Sequence, residues 1–360
     1  MIYFFLILIV AVIIIEAYSL RKGGRQISYD VKPSDYLVEP GKKFFLELKV
    51  RNNSKFPVFW LKAKCSVPEE LELAENMPGI LEIYGKHSEY SLGMSLKPHA
   101  EKNFNIEMSL PSRGLYRFSN FSLSVGDFLG IRTRIYEFPG SSEIVVMPEK
   151  ANDPDLSFVT GGIMGEYSVN RWIYEDPILT AGFREYTGSE PQRAISWTRS
   201  LQSDRIMVKQ FDHTTERKLN LIFYMPPVSS DSHSHDKIEA SLSLCRSVCE
   251  YLTQKSVPFA LYHTGCLYTS IGRLEHVSSG LGGVHLERIL EALGRFSETS
   301  VNEEAGTLLS DILKMEYDAS CCLIITPMRT PEISDFASRL GKYSNASVFF
   351  LQADMMEVKL

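Results

Sequence analysis

The sequence predicts a multidomain chain: an N-terminal transmembrane helix, a β-sandwich, and an open α/β sheet. Three observations predict it. Residues 1–20 are apolar except for Glu16. Between about residues 26 and 150, short alternating stretches are punctuated by Gly, Pro and Asn, the pattern of two stacked antiparallel sheets. From residue 218 onward, short apolar runs alternate with amphipathic helical stretches, the pattern of an open sheet with helices on both faces. The expected divisions are therefore 1–20 for the membrane helix and 26–150 for the sandwich. Residues 151–217 are a linker with a distinctive basic segment, and 218–360 are the α/β domain.

The length of 360 residues leaves room for two domains beyond a membrane segment. A formal net charge of -6 at pH 7 argues against a general nucleic-acid binder, which carries a basic excess. Cysteines stand at positions 65, 245, 249, 266, 321 and 322. Cys245 and Cys249 share a helix face, but no second pair completes a zinc set. The six read as buried free thiols, which fits a reducing compartment.

Taken in order, the first twenty residues make a helix about 30 Å long, enough to cross a hydrocarbon core. A basic start and a small-residue cleavage site are both missing, so the run reads as an anchor rather than a removed signal. Arg21, Lys22 and Arg25 follow at once, and the positive-inside rule then places the remaining chain in the cytoplasm. The expected location is the cell membrane, single-pass, with cytoplasmic domains.

In the second region the strands are expected at Lys43–Ser54, Val58–Lys64, Ile80–Ile83, Ser88–Met94, Asn103–Ser109, Tyr116–Val125 and Ile144–Met147. Their spacing argues an immunoglobulin-like sandwich. No catalytic grouping stands out, so the region reads as an interaction or spacer module. Residues 151–180 form an irregular connection whose length signals either function or disorder.

Phe183 to Phe211 then sets Arg184, Arg193, Arg199, Arg205 and Lys209 among Phe183, Tyr186, Trp197 and Phe211. Thr187-Gly188-Ser189 reads as a tight turn. Pro191 suits the first turn of a short helix with Ser189 or Glu190 as its N-cap. On that helix Arg193 and Trp197 share a face, where a guanidinium can lie on the indole. Alternation from Ile206 to Phe211 makes the exit a strand. Such a run suits a nucleic acid or phosphate, or a structural latch between two domains. The turn lacks the glycines and backbone nest of a phosphate loop, which favours the latch, with Trp197 packed against Arg193.

In the last region the expected strands are Asn220–Tyr224, Pro258–His263, Cys321–Thr326 and Ser347–Leu351, with Cys266–Ile271 folding back antiparallel after Gly265. Helices are expected at Asp236–Gln254, Leu286–Phe296, Ala305–Met315 and Pro331–Lys342.

The basic segment resembles the signature of the bacterial "domain of unknown function fifty-eight" family, through Arg184, Gly188, Arg193, Ile195, Trp197, Val208 and Lys209. The family's aspartate after the turn glycine is Ser189 here. Arg113-Gly114-x-Tyr116 and Asp127-Phe128-Leu129-Gly130 are similar to two further family elements, with Phe128 in place of proline. The last third resembles the von Willebrand A-type (Rossmann-like) domain that the family carries in this position. The resemblance implies a non-enzymatic, membrane-anchored scaffold or adaptor without a cofactor. Its implied partner is a MoxR-type AAA+ ATPase, acting in the assembly or maturation of envelope or other complexes.

An intact von Willebrand A-type domain holds Mg²⁺ with D-x-S-x-S after its first strand, because a hard cation wants oxygen ligands on one loop. Here Tyr224 and Pro226 occupy the acid and first serine positions, so the metal site is expected to be lost. The later strand ends in Thr326-Pro327, without the usual acid. His233 and His235 read as residues of a solvated polar loop, and His263 and His276 as structural. No G-x-S-x-G elbow, P-loop or G-x-G-x-x-G is present. The alternative is an enzyme or small-ligand binder using the C-terminal ends of the α/β strands. A weaker third reading is an extracytoplasmic adhesion module, which needs the opposite topology.

Overall fold

The computed structural model describes residues 26–151 except 76, 85–86 and 128–131. It also describes 180–297 except 189–191, 204, 212–218, 226–231, 270–271 and 275. Beyond these it covers Leu308, Ser310, Ile312, 321–344 and 347–352, with Tyr3 and Val10 near the start. The chain forms two compact units: Met1–Glu149 with Leu290–Phe296, and Lys150–Ile289 with Ser297–Leu360.

The first unit is built from β1 (Ile27–Pro33), β2 (Leu37–Val38), β3 (Phe44–Asn52), β4 (Val58–Val67), β5 (Glu72–Leu73) and β6 (Ile80–Tyr84). It continues through β7 (His87–Leu96), β8 (Glu101–Ser109), β9 (Gly114–Gly126), β10 (Thr133–Phe138) and β11 (Ser142–Val146). Strict alternation makes β3 a strand: Phe44, Leu46, Leu48 and Val50 turn inward while Phe45, Glu47, Lys49 and Arg51 turn out. It pairs antiparallel with β1 on one side, Ile27 opposite Asn52, and with β8 on the other, Phe44 opposite Met108. That sheet runs β1-β3-β8-β5; the second runs β2-β11-β9-β4-β7-β6, with β10 beside β9. Leu61, Ala63 and Cys65 of β4, Tyr90 and Leu92 of β7, and Phe118, Leu123 and Val125 of β9 meet the β3 residues in one shared core. Burying each large aliphatic or aromatic side chain there contributes about 1.5–3 kcal/mol. Where β3 ends, Asn52 is fully buried and ties the turn: its amide donates to the carbonyls of Phe56 (2.8 Å) and Lys97 (3.1 Å), and its oxygen accepts from Ser54.

The second unit opens with β12 (Thr180–Glu185), a 3-10 turn (Gln192–Ala194), α1 (Trp197–Ser203) and β13 (Met207–Phe211). Then follow β14 (Leu219–Phe223), α2 (Ser232–Gln254), β15 (Phe259–His263), β16 (Cys266–Thr269), β17 (Gly272–Leu274), β18 (Val277–Gly280) and α3 (Gly283–Arg295), of which the stretch from Leu290, with Phe296 after it, belongs to the first unit. The last elements are β19 (Phe296–Ser297), β20 (Cys321–Ile325), α4 (Pro331–Ser344) and β21 (Ser347–Leu351). Its main sheet runs β18-β15-β14-β20-β21, parallel except for β18. Every residue of β14, β15 and β20 is buried, as expected of parallel strands. On one face Ile222, Ala260, Tyr262, Cys322 and Ile324 pack against Ile333, Phe336, Ala337 and Leu340 of α4. Thr330 starts α4, its side chain accepting the Ile333 N–H, with Pro331 in the first turn.

The fold class expected from the sequence is corrected. Over the described residues the chain is mostly β, in several separate sheets with four α-helices. The segment read as a linker contains the β12–β13 ladder, and β16 pairs with β17 rather than returning on β15. Among the described residues no helix is long and apolar enough to cross a membrane. The longest, α2, carries Asp236, Lys237, Glu239, Arg246 and Glu250, charges that a hydrocarbon core rejects. The span expected over residues 1–20 lies, apart from Tyr3 and Val10, outside the described residues. The expected transmembrane anchor, with the single-pass membrane location and the cytoplasmic side read from it, is not supported by any described helix. Of the helix expected over Ala305–Met315, only Leu308, Ser310 and Ile312 are described, each helical.

Candidate functional site

The basic segment of the second unit is built on a two-stranded ladder. β12 and β13 run antiparallel, with Phe183 opposite Lys209, Arg184 opposite Val208 and Glu185 opposite Met207. The ladder continues beyond β12, where the Tyr186 N–H reaches the Ile206 carbonyl at 2.8 Å. Gly188 follows at a φ of 92°, a left-handed conformation that favours glycine in a tight turn. The chain then returns through the 3-10 turn, and Ile195 bridges to Val208. The Ser196 N–H donates to the Met207 carbonyl (2.8 Å), and the Ser196 carbonyl accepts the Ser200 N–H (2.9 Å), which starts α1.

Hydroxyls hold α1 to the strand. Ser200 Oγ accepts the Met207 N–H at 2.8 Å and donates to the Ser196 carbonyl at 2.8 Å. Ser203 Oγ lies 2.9 Å from the Arg199 carbonyl. No residue of α1 is buried. Trp197 is 65% exposed and Leu201 86% exposed. Four residues apart on a helix, they are neighbours on one face. Ile206 and Phe183 are exposed as well.

Two cations lie by Phe183, on the other side of α1 from Trp197 and Leu201. The Arg199 guanidinium carbon lies 5.1 Å from the centre of the Phe183 ring, and Lys209, opposite Phe183 in the ladder, is exposed on the same face. Arg205 pairs with Glu185. Contacts of these kinds hold little at an exposed site, about 0.5–1 kcal/mol for a cation on a ring and about 0–1 kcal/mol for a surface ion pair. Covering a large apolar side chain is worth about 1.5–3 kcal/mol. The largest gain still open to this segment is therefore contact with another apolar surface.

The expected packed pair of Arg193 and Trp197 is corrected. Arg193 sits in the 3-10 turn, which ends before α1 begins at Trp197, so the two do not occupy one continuous helix. The buried residues are instead Ala194, Ser196 and Val208, the last 1% exposed. Ile195 is half-buried, and Arg184, Gly188 and Lys209 are exposed. Two features went unread in the sequence: Leu201 as the neighbour of Trp197, and serines at 196, 200 and 203. The i, i+4, i+7 spacing of those serines was the available signal.

The other resemblance positions lie in the first unit. Arg113 donates to the carbonyls of Leu293 (3.3 Å) and Phe296. Tyr116 Oη donates to Glu70 at 2.7 Å. Asp127 closes the β9–β10 turn by accepting the Arg132 N–H at 2.8 Å, while positions 128–130 lie outside the described residues.

At the C-terminal ends of the parallel strands, Tyr224 is buried. Its N–H donates to the Ile325 carbonyl (2.9 Å), and its ring centre lies 6.0 Å from that of Phe336. Burial, and secondarily the Glu332 charge, raises the phenol above its usual pKa. Pro226 lies outside the described residues. Thr264 Oγ1 accepts the Met225 N–H at 2.8 Å, and Thr326 Oγ1 donates to the Met328 carbonyl at 2.8 Å. His263 Nδ1 lies 2.8 Å from the Gly265 carbonyl, and the rings of His263 and His276 are 5.3 Å apart. His233 and His235, expected in a loop, fall in the first turn of α2. Among the described residues no three His, Cys, Asp or Glu side chains group as a metal set.

No family model matches the chain, and no curated relative does. Among solved structures, about a third of the chain is similar to a cohesin module of a Clostridium perfringens family 33 glycoside hydrolase. That match has 14% identity, 34% of this chain and 95% of that one covered, and a TM-score of 0.26. A non-cellulosomal cohesin of Archaeoglobus fulgidus is similar at 12% identity, with 33% and 91% covered and a TM-score of 0.22. A fragment of Escherichia coli alpha-2-macroglobulin is similar at 16% identity, with 35% and 17% covered and a TM-score of 0.25.

Proposed function

We propose that this chain is a non-enzymatic scaffold or adaptor that recruits a protein partner through the α1 surface of its second unit. One observation carries the reading: Trp197 and Leu201 stand side by side in water on a helix anchored by hydroxyls. An exposed Trp beside an exposed apolar neighbour has the composition of an interface hot spot. The partner implied by the resemblance of the segment is a MoxR-type AAA+ ATPase, with complex assembly or maturation as the task.

Affinity purification of the native chain beside a Trp197→Ala/Leu201→Ser variant tests this. The parent is expected to bring down a AAA+ ATPase that the variant, folded by circular dichroism, does not. Equal recovery by both chains would refute docking at this surface.

A further inference from the structure

In the first unit, β9 carries a surface that the proposed docking does not use. Phe121, Leu123 and Val125 point into the core, so Ser122, Ser124 and Gly126 point away from it. On that outer face Ser122 stands between Lys64 of β4 and Glu137 of β10, and Ser124 stands between Lys62 and Ile135. Short serines between longer neighbours leave a groove of about 730 Å³, which Glu89 and Asn120 also line. Ser124 is only 8% exposed, yet its hydroxyl has no hydrogen-bond partner among the described residues, and neither has that of Ser122. An unpaired hydroxyl so nearly buried is costly, and a hydroxyl-bearing ligand seated in the groove would pair it. Beyond Ser124 the indole of Trp60 lies over Gly126, where an added Cβ would come within 2.6 Å of the ring. Trp60 is 42% exposed, so the row of hydroxyls ends at an exposed aromatic ring.

We infer that this groove binds a neutral carbohydrate. The hydroxyls of a sugar, each donor and acceptor, match those of Ser122 and Ser124. Its apolar C–H face matches the Trp60 ring and the exposed Ile135. Charge argues against an anionic ligand: Lys64 is paired with Glu89, and Glu137 makes no ion pair among the described residues, which leaves the groove with an excess of carboxylate. An extended peptide fits less well, because it docks by pairing its backbone with a free strand edge. β9 is already paired on both sides, by β4 and β10.

Isothermal titration calorimetry of the full chain tests this with cellohexaose, chitohexaose and maltohexaose, beside heparin as a sulfated sugar and a peptide of mixed Ser, Thr and Gln. At least one of the three neutral oligosaccharides is expected to bind, and to bind more tightly than heparin or the peptide. Its affinity is expected to fall roughly tenfold or more, about 1.4 kcal/mol, in Ser122→Ala/Ser124→Ala and in Trp60→Ala. The serine double variant removes two hydroxyls but no internal side-chain hydrogen bond, so its fold, checked by circular dichroism, is expected to be unchanged. Trp60→Phe, which keeps a ring over Gly126, is expected to retain most of the binding. Failure of all three neutral oligosaccharides to bind, preferred binding of heparin or the peptide, or equal binding by the serine double variant overturns the inference.

Discussion

Two helices of the second unit are held in opposite ways. α4 places Ile333, Phe336, Ala337 and Leu340 against the parallel sheet and is capped by Thr330. α1 buries none of its residues, and Ser200 fastens it to β13 while Trp197 and Leu201 face water. Apolar burial holds the first and directed hydrogen bonds hold the second. A helix of the second kind has spare apolar surface. Truncating that surface removes little from the fold and much from any contact made with it.

The widest separation of the two is expected from cavities. Leu340→Ala or Phe336→Ala should lower unfolding stability by about 2–5 kcal/mol, because each leaves a hole under α4. Urea unfolding measures it, and a loss below that of an exposed substitution would mean that α4 is not seated as described. Next in size is Asn52→Ala in the first unit, which strips donors from the Phe56 and Lys97 carbonyls and should cost about 1–3 kcal/mol. For α1 the corresponding change is Ser200→Ala. It removes the acceptor of the Met207 N–H and should cost about 1 kcal/mol, with faster amide exchange at Met207 as the local sign.

A further effect is confined to alkaline solution. Burial, with a secondary contribution from the Glu89 charge, pushes the Cys65 thiol up to about 12. A group whose folded pKa is raised contributes its full stability below the unfolded value and loses it as pH climbs towards the folded one. The contribution of Cys65 is thus intact at neutral pH and lost between about 9, the ordinary thiol value, and about 12. Unfolding of Cys65→Ala beside the parent from pH 8 to 11 checks the sign: the gap between the two should narrow as pH rises.

Where side chains alternate, the sequence was readable. Lys43–Ser54 was expected and Phe44–Asn52 forms, because burial on one face dictates a period of two. The start of α4 at Pro331 was readable from the apolar spacing after it, while its end falls at Ser344, two residues past the expected Lys342. Pairing was less readable. β12 and β13 meet across more than twenty residues of chain, so no local pattern announces them, and Cys266–Ile271 gave a strand but the wrong partner. At the candidate site, spacing paired Trp197 with Arg193 and left Leu201 unread, and spacing says nothing of whether a face is covered. Trp197 was therefore taken as packed, since tryptophan is usually buried at least in part. Val208, alternating along β13, is the residue that lies under the segment.

The smallest expected change in stability is also the most direct test of the account. Thermal unfolding of Trp197→Ala should match the parent to within about 0.5 kcal/mol, the range of surface substitutions, while the variant loses its partner in the native purification. A destabilisation of about 3–5 kcal/mol, the cost of removing a core aromatic, with partner recovery unchanged, would make Trp197 a packed latch and contradict the docking surface.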